Sequence, residues 1–340
     1  MTDKFPVIDL KGSPEEIGYQ HGTKLRSRIE QNISFYENIF NLETSKVKRL
    51  ADHYKNEIVN FHTKYSTEIE AIAQGADVEP FWIYALNART EIINRLVDEC
   101  TAVYFKNSAL LGQNWDWLKE SEDLAVVLRI KLQNGLKILT MTEPGILAKI
   151  GLNNYGLGVC LNYLNVDKDS FGVPVHILLR NILESRTIEG AVRNIDPYDK
   201  GTSSNILIGD KKGNYLDLEL AIEQTFFHRT LNPIFIHTNH YLAEGFDNSV
   251  EEFAGSMSRF TRADTIAKNL SGITKDEMKL ILLDNSDPDL PICRNYSFVE
   301  DFGNLGTVTT ILMDLKNKHL ELTSGNPFEN DFFTVSLRGL

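Results

Sequence analysis

Cysteine is scarce in this sequence, long apolar runs are missing, and basic residues are outnumbered. The 340 residues include three cysteines, Cys100, Cys160 and Cys293, which cannot all pair and show no CxxC spacing. This usage excludes a disulfide scaffold and indicates a reducing compartment. No apolar stretch approaches the roughly 20 residues that span a bilayer. The first twenty residues lack a signal-peptide core, so we expect a cytoplasmic protein.

The charge balance narrows the classes of partner. The chain has 47 acidic and 35 basic side chains, which gives a formal net charge of −12. An acidic surface repels phosphate backbones and anionic lipid, so we expect neither a nucleic-acid nor a membrane partner. With 42% hydrophobic and 24% charged residues, the composition is typical of a globular protein that buries a sizeable core without disulfides or metals.

Several signatures of catalysis are missing. The sequence contains no HExxH, no GxxxxGK[ST] and no GxSxG, which excludes the common zinc protease, P-loop and nucleophile-elbow sites. His237 and His240 have a spacing that occurs in metal sites, but no cluster of cysteines or carboxylates accompanies them in the sequence. Two structural histidines are therefore favoured over a metal-binding pair.

The first 99 residues read as a helical segment. Ser13-Pro14-Glu15-Glu16 is a capping box with proline at the first helical position, and apolar residues then recur at helical spacing to Phe40. The same periodicity predicts a second helix from about Ser45 to Gly75 and a third from Pro80 to about Leu96. Residues 1–99 are thus predicted to form a helical segment that precedes the rest of the chain within one compact domain.

The sequence pattern changes at Cys100, where helical periodicity ends and short runs of β-forming residues begin. Asn107-Ser108 is turn chemistry between the first two runs, which indicates a hairpin. Further strands are predicted at residues 124–132, 137–141, 156–162, 204–209, 215–219, 234–238, 307–315 and 319–324. Helices are predicted at residues 174–184, 187–194, 259–270 and 275–284. Strand runs separated by helices favour an α+β domain of packed antiparallel sheets over residues 100–340.

Cys100 stands at the junction between the two segments. A lone cysteine before a strand is most often a small buried hydrophobic residue. If the bond between Glu99 and Cys100 were cut, however, Cys100 would become an N-terminal residue that carries both a thiol and an α-amine. An α-amine has a pKa near 8, so it could serve as the base for its own thiol.

Six spaced motifs accompany this cysteine: Glu15-Glu-Ile-Gly-Tyr-Gln-His-Gly22, Glu70-Ala-Ile-Ala-Gln-Gly75, Leu86-Asn-Ala-Arg-Thr-Glu91, Cys100-Thr-Ala-Val-Tyr104, Gly112-Gln-Asn-Trp-Asp116 and His237-Thr-Asn-His240. Together they resemble the acyl-coenzyme A:6-aminopenicillanic acid acyltransferase family, the C45 peptidase-like N-terminal nucleophile hydrolases. The resemblance implies a four-layer αββα core with an N-terminal helical segment. It also implies a precursor that cuts itself between Glu99 and Cys100 into two chains that stay associated.

The same resemblance implies roles for single residues. Cys100 matches the nucleophile, which forms a thioester with the acyl group. Asp116 matches the aspartate that positions the nucleophile's amine, although a turn or capping aspartate is the alternative. Asn239 matches the oxyanion-hole asparagine, with a turn asparagine at a strand end as the alternative.

Two further matches come from the related bile-salt and penicillin V hydrolases. Asn162 resembles a substrate-side asparagine of those enzymes. Arg259 resembles their active-site arginine, with Arg262 as a competing register and a surface arginine as the alternative. The resemblance implies no metal and no organic cofactor, and acyl-CoA would be a co-substrate if acyl transfer is the physiological reaction.

The match departs from the fungal penicillin enzyme at two places. Glu99 stands where that enzyme has glycine, and Asn304-Leu305 stands where it has a Ser-Arg pair. We therefore expect a self-processing amidohydrolase or acyltransferase for a small N-acyl amide, with hydrolysis favoured over the penicillin reaction. Two alternatives stay open: an uncut, non-catalytic homologue that binds a small amide or peptide, and a thiol hydrolase with His237 or His240 beside Cys100.

Overall fold

Two β-sheets lie face to face at the centre of the molecule. A computed structural model describes residues 5–93, 100–164, 171–221, 224–246, 254–300 and 302–340. The described strands are β1 (Val7–Gly12), β2 (Thr101–Phe105), β3 (Leu110–Leu118), β4 (Val126–Leu132), β5 (Lys137–Thr142), β6 (Ile150–Asn153), β7 (Leu157–Tyr163), β8 (Ser204–Asp210), β9 (Tyr215–Leu220), β10 (Thr225–His228), β11 (Ile234–His237), β12 (Ser297–Val299), β13 (Gly303–Asp314), β14 (His319–Thr323) and β15 (Phe332–Ser336). One sheet has the order β1-β4-β5-β6-β7-β8-β9-β10, and the other has the order β11-β2-β3-β13-β14-β15 with β12 on β13.

Helices cover the outer faces of these sheets. The described helices are α1 (Pro14–Phe40), α2 (Thr44–Phe61), α3 (Thr63–Ala76), α4 (Pro80–Asn87), α5 (Arg89–Ile92), α6 (Ser121–Leu124), α7 (Val175–Leu183), α8 (Ile188–Ile195), α9 (Ala254–Lys268) and α10 (Lys275–Leu282). Helices α7 and α8 pack on the eight-stranded sheet, and α9 and α10 pack on the other sheet. The predicted four-layer αββα arrangement is therefore confirmed. None of the described helices is long and apolar enough to cross a bilayer.

The N-terminal helices form the predicted helical segment, and α1 crosses α3 at very short distance. The Ser13 hydroxyl accepts from the N–H of Glu16, as the capping box predicts. A Cβ atom at Gly18 or Gly22 would lie 2.2 Å from a backbone oxygen of α3. Glycine is thus required for this crossing, since any larger residue would push the two helices apart. The glycines of the first quoted motif therefore serve helix packing.

The helical segment differs from the prediction in three places. The helix predicted from Ser45 to Gly75 is broken at His62, whose extended φ of −168° separates α2 from α3. The helix predicted from Pro80 divides at Ala88, and its expected end near Leu96 lies outside the described residues. The segment is also not wholly helical, because β1 forms a parallel pair with β4.

The hairpin predicted after Cys100 is confirmed. Strands β2 and β3 pair antiparallel, from Thr101 opposite Asn114 to Phe105 opposite Leu110. Strand β3 runs to Leu118 and pairs with β13 on its other side. Both strands are fully buried, so Cys100, which immediately precedes β2, lies in the interior.

Candidate active site

The main chain of Cys100 is held by two buried side chains from different layers. Asn162 on β7 donates from Nδ2 to the carbonyl oxygen of Cys100 at 3.0 Å. Arg259 on α9 donates from Nη1 to the same oxygen at 2.8 Å. A carbonyl oxygen has two lone pairs, so both are used by these donors. The position of Cys100 is thus fixed from both sides of its sheet.

Arg259 connects Cys100 to the loop that follows β11. Its Nη1 also donates to Thr101 Oγ1 at 3.0 Å, and its Nη2 donates to Asn239 Oδ1 at 3.0 Å. Burial lowers the pKa of Arg259, and the nearby Asp116 and Cys100 offset this effect only in part. Arg262, the competing register, instead pairs with Asp284 and is 40% exposed. Of the two arginines, the structure brings Arg259 to Cys100.

The amide of Asn239 has a defined orientation. Because Oδ1 accepts from Arg259, the NH2 group faces the opposite way, where it donates to the carbonyl of Tyr163 at 3.0 Å. An amide NH2 has two hydrogens, so one more donor is directed to the same side. The backbone N–H of Asn239 donates to Ser256 Oγ at 2.7 Å. Asn239 therefore presents a donor, not an acceptor, toward the strand that carries Tyr163.

Asp116 is buried on β3 near this group. Its Cα pairs with Thr307 of β13. Continuation of the hairpin register places Cys100 opposite Trp115, so Asp116 lies one residue further along the strand. The negative charge of Asp116 raises the pKa of Arg259, as Cys100 does. The carboxylate therefore lies in the same electrostatic environment as the nucleophile candidate.

A small pocket opens beside Cys100. Its lining residues are Arg89, Thr90, Cys100, Trp115, Lys149, Leu161, Tyr163 and Ser204. The Nζ of Lys149 lies 3.3 Å from the Trp115 ring centroid. Arg89 and Lys149 both form ion pairs with the buried Glu143. The pocket therefore combines apolar walls with buried positive charge. Trp115 forms one of the apolar walls.

Sequence reasoning missed the two basic residues of this pocket. Arg89 lies in one of the quoted motifs, and that motif is the signal that could have indicated it. Lys149 stands in no motif. It reaches the pocket from the turn before β6, so only the fold could indicate it. Cys160 and Cys293 are buried. Glu99, the other half of the expected cleavage site, lies outside the described residues.

Both histidines of the His237–His240 motif contact groups other than Cys100. The Nε2 of His237 contacts Glu219 Oε1 at 2.9 Å, and its Nδ1 contacts the carbonyl of Thr238 at 2.8 Å. The Nδ1 of His240 contacts Ser256 Oγ at 2.8 Å. Both ring nitrogens of His237 are thus used elsewhere, which disfavours a thiol hydrolase that pairs Cys100 with His237.

Asp217, Glu219 and His237 form a group with metal-ligand geometry, since their ligand atoms lie within 4.8 Å of one another. Both ring nitrogens of His237 face oxygen acceptors, so both must carry a proton. Burial lowers the pKa of His237, but the two carboxylates outweigh burial and the pKa is raised. A doubly protonated imidazole has no lone pair for a metal. The three side chains therefore fit a network of buried ion pairs better than a metal site.

The fold and the site define the class of protein. The chain resembles a mutant conjugated bile acid hydrolase from Clostridium perfringens with a TM-score of 0.51 at 13% identity, over 72% of this chain and 93% of that chain. Its fold is that of the N-terminal nucleophile hydrolases.

Sequence comparison gives the family. A family model described as acyl-coenzyme A:6-aminopenicillanic acid acyl-transferase matches residues 103–329. The chain is 31% identical to the 40 kDa form of acyl-coenzyme A:6-aminopenicillanic-acid-acyltransferase of Emericella nidulans, over 95% of this chain and 94% of that protein. The chain belongs to the acyl-coenzyme A:6-aminopenicillanic acid acyltransferase family. This membership places it among enzymes of acyl transfer and amide hydrolysis.

Proposed function

We propose that the protein is a self-processing cysteine amidohydrolase or acyltransferase that acts on a small N-acyl amide. One observation carries the proposal: Asn162 and Arg259 converge on the carbonyl of Cys100, and Arg259 also holds Asn239. Burying an arginine and two amides around one cysteine is costly. A core cysteine needs no such arrangement, whereas a nucleophile that must keep one position does.

In the proposed maturation, the thiol of Cys100 attacks the carbonyl carbon of Glu99. The peptide C–N bond breaks and its nitrogen takes up the thiol proton, which frees the α-amine of Cys100 and leaves Glu99 joined to the sulfur as a thioester. Water then hydrolyses the thioester, giving a carboxylate on Glu99 and a free thiol. Residues 1–99 and 100–340 remain associated as the two chains of the mature enzyme.

In the proposed turnover, the freed α-amine takes the thiol proton and the thiolate adds to the acyl carbonyl of the substrate. The Nδ2 of Asn239 and backbone N–H groups hold the negative oxygen that forms. The leaving amine receives the proton from the α-ammonium group as the C–N bond breaks. Water or an acceptor amine then takes the acyl group from the thioester. Asp116 stabilises the α-amine in its protonated form.

Hydrolysis is the favoured net reaction. Asn304-Leu305 replaces the Ser-Arg pair of the fungal pattern, and water is always available to the thioester. Trp115 and Leu161 in the pocket provide apolar contact for an acyl chain. No metal or organic cofactor takes part in these steps, and acyl-CoA would be the acyl donor if transfer prevails.

Intact-mass measurement tests the maturation. The wild type is expected to give two chains, 1–99 and 100–340, and Cys100→Ala is expected to give one chain of full length. Cys160→Ala is the matched control, because Cys160 is a buried cysteine on the neighbouring β7. Cleavage of Cys100→Ala at the same bond would contradict the mechanism, and an uncut wild type would favour the non-catalytic homologue.

A substrate panel tests the reaction. N-acyl amino acids, β-alanyl amines and penicillins are incubated with wild type, Cys100→Ala and Cys160→Ala, and amine release is measured. Release by wild type and Cys160→Ala but not by Cys100→Ala supports the proposal. Adding acyl-CoA and an acceptor amine distinguishes transfer from hydrolysis by the product formed. No amine release from any compound by a correctly cleaved wild type would contradict the amidase activity.

A further inference from the structure

The carboxylate of Glu219 makes four hydrogen-bonding contacts. It lies on β9 and is fully buried. Its Oε1 accepts from His237 Nε2 at 2.9 Å and from the N–H of Leu242 at 2.5 Å. Its Oε2 contacts His228 Nε2 at 2.8 Å and accepts from the N–H of Ala243 at 3.0 Å. Each oxygen thus joins one histidine to one backbone N–H.

These contacts fall at the two ends of one loop. We call residues 238–243 the Asn239 loop, because Asn239 lies within it. His237, the residue before the loop, is bound through its ring, and Leu242 and Ala243, the last two loop residues, are bound through their backbone. Glu219 itself lies outside the loop. One carboxylate therefore closes the loop on itself.

The same contacts join the two sheets. Glu219 belongs to the eight-stranded sheet, whereas His237 is the last residue of β11 in the other sheet. Asn162 on β7, also in the eight-stranded sheet, reaches the carbonyls of both Cys100 and His237, at 3.0 and 3.5 Å. The distance between the Asn239 loop and Cys100 is thus set by contacts that cross from one sheet to the other.

The contacts of Glu219 with His237 and the loop are charge-assisted. Since both nitrogens of His237 carry protons, its ring is a cation against the Glu219 carboxylate. Interactions of this kind are strong in a buried environment, and they restrict the positions of the groups that they join. On the opposite side of the loop, Ser256 of α9 accepts from the Asn239 N–H. The loop is therefore held between β9 and α9.

We propose that Glu219 is a positioning residue for the reaction, which holds the Asn239 loop so that the Asn239 amide stays at the oxyanion position beside Cys100. This inference rests on the proposed function. Glu219 does not touch the pocket and acts through Asn239. A displacement of about 1 Å at a catalytic group can cost up to about 100-fold in rate, so loss of Glu219 should lower kcat with little change in KM.

A double-mutant cycle tests this inference. Glu219→Gln, Asn239→Ala and the double variant are compared with wild type, and kcat is expressed per active thiol by titration with an irreversible thiol reagent. Glutamine keeps the shape but is neutral and has one acceptor oxygen in place of two, so it loses the charge pair with His237 and cannot keep the bonds from both Leu242 and Ala243. We expect Glu219→Gln to lower kcat by roughly 10- to 100-fold with KM within about 3-fold. In the Asn239→Ala background the same substitution should have little further effect.

His228→Gln is the matched control. His228 contacts the same carboxylate but holds no part of the loop, and it is 22% exposed. Its substitution should leave kcat and cleavage unchanged. If Glu219→Gln does not fold, Glu219→Asp, which keeps the charge but withdraws it by one methylene, enters the same cycle.

Hydrogen exchange gives a readout that does not depend on activity. Amides of Leu242 and Ala243 should exchange faster in Glu219→Gln than in His228→Gln, while amides of β2 and β3 keep their protection. A fall in the active-thiol fraction with unchanged kcat per thiol would make Glu219 merely structural and overturn the inference. Full multiplication of the two single effects would also overturn it. A wild type without activity, or a fully active Asn239→Ala, would instead contradict the proposed function.

Discussion

A single hydrogen bond of 3.0 Å joins Arg259 Nη2 to Asn239 Oδ1, and this bond determines which end of the asparagine amide can act as a donor. The same guanidinium holds the carbonyl of Cys100. One side chain on α9 thus bridges the nucleophile candidate and the oxyanion donor. The two belong to segments far apart in the sequence.

Arg259→Lys should therefore lower kcat while the protein still folds. Lysine keeps the charge but lacks the planar fork that reaches both oxygens. We expect a fall of up to about 100-fold, measured as amine release per active thiol. Arg262→Lys, one turn further along α9, is the control and should keep wild-type kcat. Equal effects of the two substitutions would show that Arg259 contributes only to the stability of α9.

Asn239→Ala should lower kcat by roughly two to three orders of magnitude, with a smaller effect on KM, because a donor to developing charge is lost. Steady-state kinetics with the best substrate of the panel measures both constants. A change confined to KM would make Asn239 a residue of substrate binding in the ground state.

Asp116→Asn should impair turnover without unfolding the protein. Asparagine keeps the shape of the side chain but removes the negative charge that raises the proton affinity of the α-amine. The pH optimum should therefore move to lower pH, as followed by kcat over about pH 6 to 9. Circular dichroism of the same samples reports the fold. Activity equal to wild type across this range would make Asp116 a purely structural residue of β3.

Asp217→Asn should stabilise the protein at neutral pH. Burial raises the pKa of Asp217 from 3.8 to about 6, although His237 and Asn205 oppose this. Between these values the folded state binds more protons than the unfolded state, so stability falls as pH rises. Asparagine removes this loss. The gain should grow from about pH 4 to 6 and reach at most about 3 kcal/mol above pH 6.

Urea unfolding of Asp217→Asn, made in the Cys100→Ala background so that the chain is uncut, measures this gain. Asp264→Asn, in an exposed pair with Lys268, is the control. Its free energy of unfolding should change by less than about 0.5 kcal/mol at every pH. A gain for Asp217→Asn that does not vary with pH would show that its cause is packing.

Local patterns account for the elements that the sequence could predict. The Cys100 hairpin follows from alternation and a turn within one short stretch, and the Ser13 capping box marks the start of α1 within one residue. The short strands β10, β12 and β15, of four, three and five residues, were not predicted. Strands this short hold too few residues for a clear alternation pattern, and they gain their stability from pairing with β9, β13 and β14.

The residues of the candidate site likewise fall into those that the sequence could predict and those that it could not. Cys100, Asp116 and Asn239 stand in motifs that can be matched one by one. Glu219 stands in none, since His237, Leu242 and Ala243 lie 18 to 24 residues away and meet it only when the two sheets face each other. Its role depends on packing that no periodicity describes.

The parallel pair of β1 with β4 has a thermodynamic consequence. It matches Val7 with Val127 through Gly12 with Leu132, so the strand before Cys100 completes a sheet whose other seven strands come after it. A cut at Cys100 would make that edge part of a separate molecule, held by noncovalent contacts alone. Unfolding would then include dissociation, and its midpoint would rise with protein concentration. The uncut Cys100→Ala chain would melt at one temperature whatever its concentration.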